Sequence, residues 1–313
     1  MRALVLGANG FIGSNLVQYL TEQGVQVRVL TRKGLTRAHS SVETVIGDLV
    51  GDDIDYPALL SCCDVIFNCA GEIHNEQLMH RLHVDATAKF LDAVAVATAQ
   101  GQSIRWVQLS SVGAYGPSRA KSRVVTEDMP TNPVGTYEIT KTLADALITT
   151  REMPESFSFS ILRPSNVFGP TMSNNSLRQL GQMVKKRRFF FIGFSPATAT
   201  YIHVDDVVWA LYRCATDPRA KGQIFNLSND CMMPELIAGM ARAQGGATPR
   251  LVVPEFMVRV AVALVSPLTR GRITQKRVDA LVSHTTYSAK KAADLLDFAP
   301  GKPVPESIGE LFG

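Results

Sequence analysis

The feature that most constrains this chain is the turn Gly7-Ala8-Asn9-Gly10-Phe11-Ile12-Gly13, which follows the apolar run Ala3-Leu4-Val5-Leu6. After it, apolar residues recur with helical spacing at Phe11, Ile12, Leu16, Val17 and Leu20. Strand, glycine turn and helix in that order predict the first βα unit of an open α/β sheet. Gly7 permits the tight turn, Gly10 lets backbone N–H groups approach a pyrophosphate, and Gly13 lets the helix close on the strand. Phosphate is favoured at a helix N-terminus by unpaired N–H groups and the helix dipole. The context predicts a dinucleotide site built on Gly7, Asn9, Gly10, Phe11, Ile12 and Gly13.

The alternating run Val25–Leu30 predicts a second strand, and Thr31-Arg32-Lys33 follows it. An NAD site places an Asp or Glu about 20 residues beyond the glycine motif on the ribose 2′-OH, whereas NADP favours an Arg. With Thr31 and Arg32 here and no acid, NADP is favoured over NAD. Val42–Ile46 reads as another strand, after which Asp48 and Leu49 either reach the adenine or close the next turn. The apolar strand beginning at Asp64 ends in the small residues Cys69, Ala70 and Gly71, which suit close passage beneath a cofactor. A helix is expected from about Glu76 to Ala99. His74, His80 and His83 lack the arrangement with carboxylates that a metal site needs and are expected on its polar face.

Ile104–Leu109 reads as a strand ending in Ser110-Ser111, and hydroxyls at such strand ends lie where open sheets bind ligands. Downstream, Tyr137 and Lys141 share one face of a predicted helix, about 5–6 Å apart at Cβ. An unperturbed phenol with a pKa of about 10 carries protons poorly at neutral pH. A neighbouring ammonium is expected to stabilise its phenolate.

A length of 313 residues suits an open α/β domain with a smaller appendage. The net charge of +4 is scattered, which argues against nucleic acid and is compatible with an anionic small substrate. Five cysteines without paired spacing read as reduced thiols, and no metal is implied. The expected location is the cytoplasm, because Met1–Leu6 begins a strand and not a secretion signal. No apolar run reaches the ~18 residues of a membrane span. Phe256–Leu268, broken by Arg259 and Pro267, reads as an amphipathic or buried helix in preference to a membrane-surface segment.

The glycine turn, Asn68-Cys69-Ala70-Gly71, Ser110-Ser111 with Tyr115-Gly116, Tyr137-x-x-x-Lys141, Arg163–Pro170 and Tyr201–Val207 together resemble the extended branch of the short-chain dehydrogenase/reductase superfamily. That branch comprises sugar-nucleotide epimerases, dehydratases and reductases, and the resemblance runs nearly end to end. It implies a Rossmann-type doubly wound parallel sheet over residues 1–165, completed by parts of 200–228. A smaller C-terminal substrate-binding lobe is implied over 166–199 and 229–313. Carried onto this sequence, it makes Ser111 the hydroxyl that positions the substrate oxygen, Tyr137 the acid/base and Lys141 its partner and ribose ligand. It also places Pro164 beside the cofactor and Asn166 beside the substrate, and suggests a homodimer. His83 stands where the family often has Asn, and Thr31-Arg32 replaces its common Asp.

In the lobe, Lys185–Arg188 and the group Arg270, Arg272, Lys276 and Arg277 offer two basic clusters. They either clamp a substrate diphosphate, with Arg188 and Arg272 as contacts, or form solvated surface. The expected chemistry is hydride transfer at a sugar carbinol or ketone, most simply C4 of a nucleotide-linked or lipid-diphosphate-linked sugar, by epimerisation or reduction. Val112-Gly113 in place of an Asp-Glu pair disfavours water loss. The alternatives are a reductase or dehydrogenase of an apolar ketone or alcohol of sterol or flavonoid type, and a dinucleotide-binding protein without catalysis.

Overall fold

The computed structural model describes residues 1–36, 41–118, 122–265 and 275–313. The chain opens with β1 (Arg2–Leu6), α1 (Phe11–Glu22), β2 (Gln26–Thr31) and β3 (Val42–Ile46). It continues through α2 (Tyr56–Leu60), β4 (Val65–Asn68), α3 (Glu76–His80), α4 (Ala86–Ala99) and β5 (Ile104–Leu109). Next come β6 (Arg123–Val125), α5 (Thr136–Thr150), β7 (Phe157–Pro164), β8 (Asn166–Phe168) and α6 (Ser176–Lys185). After β9 (Phe191–Ile192), β10 (Thr198–Ala199) and β11 (Tyr201–His203) lie α7 (Val204–Thr216) and β12 (Gln223–Leu227). The chain ends with β13 (Cys231–Met232), α8 (Met233–Ala243), β14 (Val252–Val253), α9 (Glu255–Val265), α10 (Gln275–Leu281), β15 (Thr285–Tyr287), α11 (Lys290–Leu296), α12 (Val304–Ser307) and a 3-10 turn (Ile308–Leu311).

Seven strands form one parallel sheet in the order β12-β7-β5-β4-β1-β2-β3. Its central strands are apolar without alternation because helices cover both faces. On one face, Leu16, Val17 and Leu20 of α1 meet Val207, Val208 and Leu211 of α7. On the other, Leu59 and Leu60 of α2 pack with Phe90, Leu91 and Val94 of α4 and Ile148 of α5. A third cluster gathers Phe168, Leu177 and Val184 with Leu236, Ile237 and Met240 of α8 and Ile308. Phe11, the first residue of α1, packs against both the first and the third clusters.

The sheet matches the expected doubly wound architecture, and its topology locates the ligand crevice. Strand order reverses between β1 and β4, and open sheets bind ligands outside the carboxyl ends of the strands at such a switch point. The glycine turn after β1 and Cys69-Ala70-Gly71 after β4 meet there. A Cβ placed on Gly7, whose φ is +78°, would lie 2.7 Å from the Ala70 backbone.

Two expectations need correction. The helix expected over Glu76–Ala99 contains one wider turn, a π-helical segment at Arg81–Asp85 between α3 and α4. His83 lies in it and is 2% exposed, not on a polar face, because the wider turn directs its ring toward α5. The apolar segment expected from Phe256 is α9, and residues 266–268 lie outside those described. Among the described residues no helix is long and apolar enough to cross a membrane.

Gly7→Ala combines a left-handed backbone with a clash against a neighbouring strand end. It is expected to cost about 2–4 kcal/mol, read as a lower midpoint in urea unfolding. A change within about 0.5 kcal/mol would show that the turn relaxes freely.

Candidate active site

The glycine turn is a tight cradle. A Cβ on Gly13 would fall 2.1 Å from the Gly7 carbonyl oxygen, so α1 can start this close to β1 only without a side chain there. Asn9 is spent on structure: its Nδ2 donates to Thr31 Oγ1 at 2.9 Å and to the Gly34 carbonyl at 2.8 Å. Its Oδ1 accepts from the Thr36 N–H and hydroxyl at 2.9 and 3.0 Å. Asn9 therefore ties the glycine turn to the loop after β2, where Arg32 and Lys33 stand exposed. Asp48 closes its own turn, its carboxylate accepting from the Val50 N–H, while Leu49 packs toward the second cluster. Burial pushes the Cys69 thiol up to about 12, so it is a neutral wall of the crevice. Pro164 ends β7 opposite Leu227.

Ser111 follows β5 and caps the single turn Val112–Tyr115, its Oγ accepting from the Gly113 N–H at 3.1 Å. Gly113 is pressed on the first turn of α5, where a Cβ would come within 2.7 Å of Glu138 Cγ. Ser111 is thereby held beside the helix that begins at Thr136 and carries Tyr137 and Lys141. Lys141 is 4% exposed, and its Nζ donates to the Ala70 carbonyl at 3.4 Å, so the helix reaches the end of β4 beside the glycine turn.

The expected lowering of the phenol by the ammonium is not what this environment produces. Burial pushes Tyr137 up to about 12, and Glu138 and Asp145 act in the same direction. Lys141 is itself held below the ordinary lysine range by burial, opposed by Asp145 and Cys69.

Sequence reasoning passed over two further parts of the site. The first is His83, which packs edge-on against the Tyr137 ring at 5.7 Å between centroids. Its Nε2 accepts from the Glu72 N–H at 2.9 Å, which assigns the proton to Nδ1, 2.8 Å from Thr140 Oγ1. Burial, with Lys141 adding to it, pushes His83 down to about 3, so the ring is a neutral wedge behind Tyr137.

The second is a buried polar chain. Asp145 Oδ2 accepts from Arg163 Nε at 3.0 Å and Ser110 Oγ at 2.8 Å. Arg163 Nη1 donates to the Tyr115 hydroxyl at 3.1 Å, and that hydroxyl donates to Asn226 Oδ1 at 2.8 Å. Burial raises the Asp145 carboxyl, opposed by Arg163. Tyr137, Lys141 and Asp145 recur every four residues, so the helical stripe that suggested the first two also contained the third.

The remaining expected contacts lie in later segments of the chain. Asn166 is exposed, with its Nδ2 donating to the Thr200 carbonyl at 2.9 Å. Arg188 is exposed beyond α6. Arg270 and Arg272 lie outside the described residues, as do the side chains of Lys276 and Arg277. Among the described residues no cluster of His, Cys, Asp and Glu could hold a metal ion.

Comparison with known proteins gives this geometry a family. Residues 3–228 match the model of the NAD dependent epimerase/dehydratase family. The chain belongs to that family. It is 30% identical over 274 residues to UDP-glucose 4-epimerase of Mycolicibacterium smegmatis, covering 82% of this chain and 85% of that one. It is also 24% identical over 329 residues to the decarboxylating sterol-4-alpha-carboxylate 3-dehydrogenase of Mus musculus, covering 98% and 89%. Among solved structures, UDP-glucuronic acid 4-epimerase from Bacillus cereus, in complex with NAD, superposes with a TM-score of 0.74. That likeness is at 19% identity and covers 99% of this chain and 97% of the other, and it is one of fold. As a member of the extended short-chain dehydrogenase/reductase branch, the chain is an enzyme dependent on a nicotinamide dinucleotide.

His83 gives a pH signature. It binds a proton at about pH 6.5 when unfolded and only near pH 3 when folded. The folded state therefore holds fewer protons between those values, and its stability falls as pH drops through that window. His83→Asn, which keeps an acceptor for Glu72, is expected to flatten the fall in Tm between about pH 6.5 and 4 relative to wild type. Parallel Tm profiles for the two proteins would overturn the neutral, buried assignment.

Proposed function

We propose that this family member catalyses hydride transfer at a carbinol or ketone of a nucleotide-linked or lipid-diphosphate-linked sugar, with C4 the favoured position. The observation that carries the reading is the convergence on Ala70. The glycine turn packs on its backbone, and Lys141, one helical turn from Tyr137, binds its carbonyl. Gly7 and Gly13 let the turn close on Ala70 and α1 start against β1, where a Cβ would collide with backbone, and the α1 N-terminus so placed would hold a dinucleotide pyrophosphate. When bound, the nicotinamide supplies the hydride donor or acceptor.

In this reading the chain's own residues handle the oxygen and the proton. The Ser111 hydroxyl donates to the substrate oxygen and fixes its direction. The Tyr137 hydroxyl gives its proton to that oxygen in reduction and takes it back in oxidation. Lys141 brings a positive charge to the phenolate side of that exchange, and His83 with Thr140 keeps the phenol's ring from swinging away. Exposed Arg32 and Lys33, with no acid beside them in sequence, support a 2′-phosphate and hence NADP. Exposed Val96 on α4 and Ile139 and Leu143 on α5 support a homodimer through those helices.

A second reading, oxidation or reduction of an apolar alcohol or ketone, is supported by the sterol dehydrogenase that matches nearly the whole chain. An apolar cleft of about 140 Å³ in the C-terminal part, lined by Phe189, Phe191, Pro196, Met233 and Leu281, also supports it. One assay separates the two: NADPH and NADH are each titrated, then challenged with UDP- and dTDP-hexoses, their 4-keto forms and a 3-hydroxysterol, following the reduced nicotinamide and the sugar isomers. Turnover of the sterol alone would overturn the sugar reading.

Tyr137→Phe is expected to lower kcat by about 10²–10⁴-fold while leaving cofactor Kd within about twofold. Arg32→Ala is expected to weaken NADPH by about tenfold or more and NADH hardly at all, and equal losses would remove the NADP preference. With the Tyr137 phenol near 12, the reactive phenolate grows with pH, so oxidative kcat/KM is expected to climb through about pH 10 without a plateau. A plateau near neutrality would show that the cofactor complex lowers the phenol.

A further inference from the structure

Three strands of observation meet on one face of the C-terminal part. The first is apolar exposure. Phe194 is 82% exposed, Leu264 71%, Phe256 69%, Leu251 63% and Val260 57%. Phe256, Val260 and Leu264 are spaced by four, so they form one outward stripe of α9, while Val262 is buried. A contiguous surface of this kind on a soluble protein marks an interaction site.

The second is continuity. β9 and β14 pair in parallel, with Val252 opposite Phe191, and the Phe191 N–H donates to the Leu251 carbonyl at 2.8 Å. The ribbon ends at Gly193, whose φ of +74° turns the chain outward into Phe194, and Gly193 lies against Glu255 at the start of α9. Ribbon, tip and helix are therefore one surface, and the apolar cleft lined by Phe189, Phe191 and Leu281 opens beside it.

The third is charge. Lys185-Lys186-Arg187-Arg188 leads into β9 and Arg250 leads into β14. Because the two strands are parallel, both basic entries lie at the same end of the ribbon. All five side chains are exposed, and among the described residues none is paired with a carboxylate. Arg259 on α9, by contrast, is neutralised by Glu255 at 2.7 Å and Asp279 at 2.9 Å.

We infer that this face rests on an anionic lipid bilayer, with Phe194 and the outer stripe of α9 in the headgroup–acyl boundary and the basic rim on lipid phosphates. An apolar stripe edged by unpaired Lys and Arg is what an interfacial helix presents to such a surface. Among the described residues no helix is long and apolar enough to span, and the contact inferred here is peripheral. A second copy fits less well, because a two-fold contact centred here sets two basic rims against each other.

The test is flotation of the full chain with vesicles of phosphatidylcholine alone or mixed equally with phosphatidylglycerol, with solution mass measured by light scattering. The expected result is association with the mixed vesicles, weakened by salt, and little with phosphatidylcholine. Lys186→Glu with Arg250→Glu is expected to cut the bound fraction by about tenfold or more, and Phe194→Ser with Phe256→Ser to do the same. All four side chains are exposed or nearly so, and unchanged Tm values would confirm intact folding. Three outcomes overturn the inference: no association, equal association with both vesicle types, or a dimer that becomes monomeric on Phe194→Ser with Phe256→Ser. Flotation reads mass and not turnover, so its outcome is independent of the activity proposed above.

Discussion

The backbone at Ala70 is loaded from two directions. Gly7 lies on it so closely that a single Cβ would collide at 2.7 Å, and Lys141 binds its carbonyl from the opposite element. The absence of a Cβ at Gly7 is the condition for this, because one there would push β1's turn off the end of β4. The same junction fixes two distances: from the glycine turn to the sheet, and from α5 to that turn. Asn9 extends the arrangement outward by fastening the loop after β2, so Arg32 projects from a braced turn.

Behind α5, the fold spends buried polar groups on alignment. Asp145 and Arg163 are nearly inaccessible, and a pair of that kind stabilises little by itself because desolvation offsets most of the attraction. Its geometric effect is larger. Through Ser110, Tyr115 and Asn226 it joins α5 to β5, β7 and β12, so the helix bearing Tyr137 cannot rotate without leaving charges unpaired. His83 supplies the matching restraint on the other flank as a neutral wedge.

How much of this could be read from residues alone follows from the range of each signal. The glycine turn and its flanking strand and helix are local, and so the Rossmann sheet and the cradle were legible. So was the stripe of Tyr137 and Lys141, whose extension to Asp145 had the same period and went unread. His83 was misplaced because a π-helical turn shifts the face of every later side chain, and no residue type marks it. The phenol's environment was misjudged because burial, a tertiary property, outweighs a neighbour that sequence does reveal. Asn166 and Arg188 belong to segments whose positions depend on short two-stranded pairings, and those leave little periodicity to read.

One of those pairings reaches further than its three residues suggest. β6 lies in parallel register with β15, and Arg123 at its start donates to the Gly116 carbonyl at 3.2 Å. Asn132 closes the same segment on Ala114, and Val125 and Tyr287 join Val112 and Tyr115 in a small buried cluster. The turn that presents Ser111 is thus clamped to a strand near the far end of the chain. Mechanically, this makes the C-terminal segment a tether on the turn that presents Ser111: that segment cannot swing outward without pulling Ser111 with it or breaking the ladder.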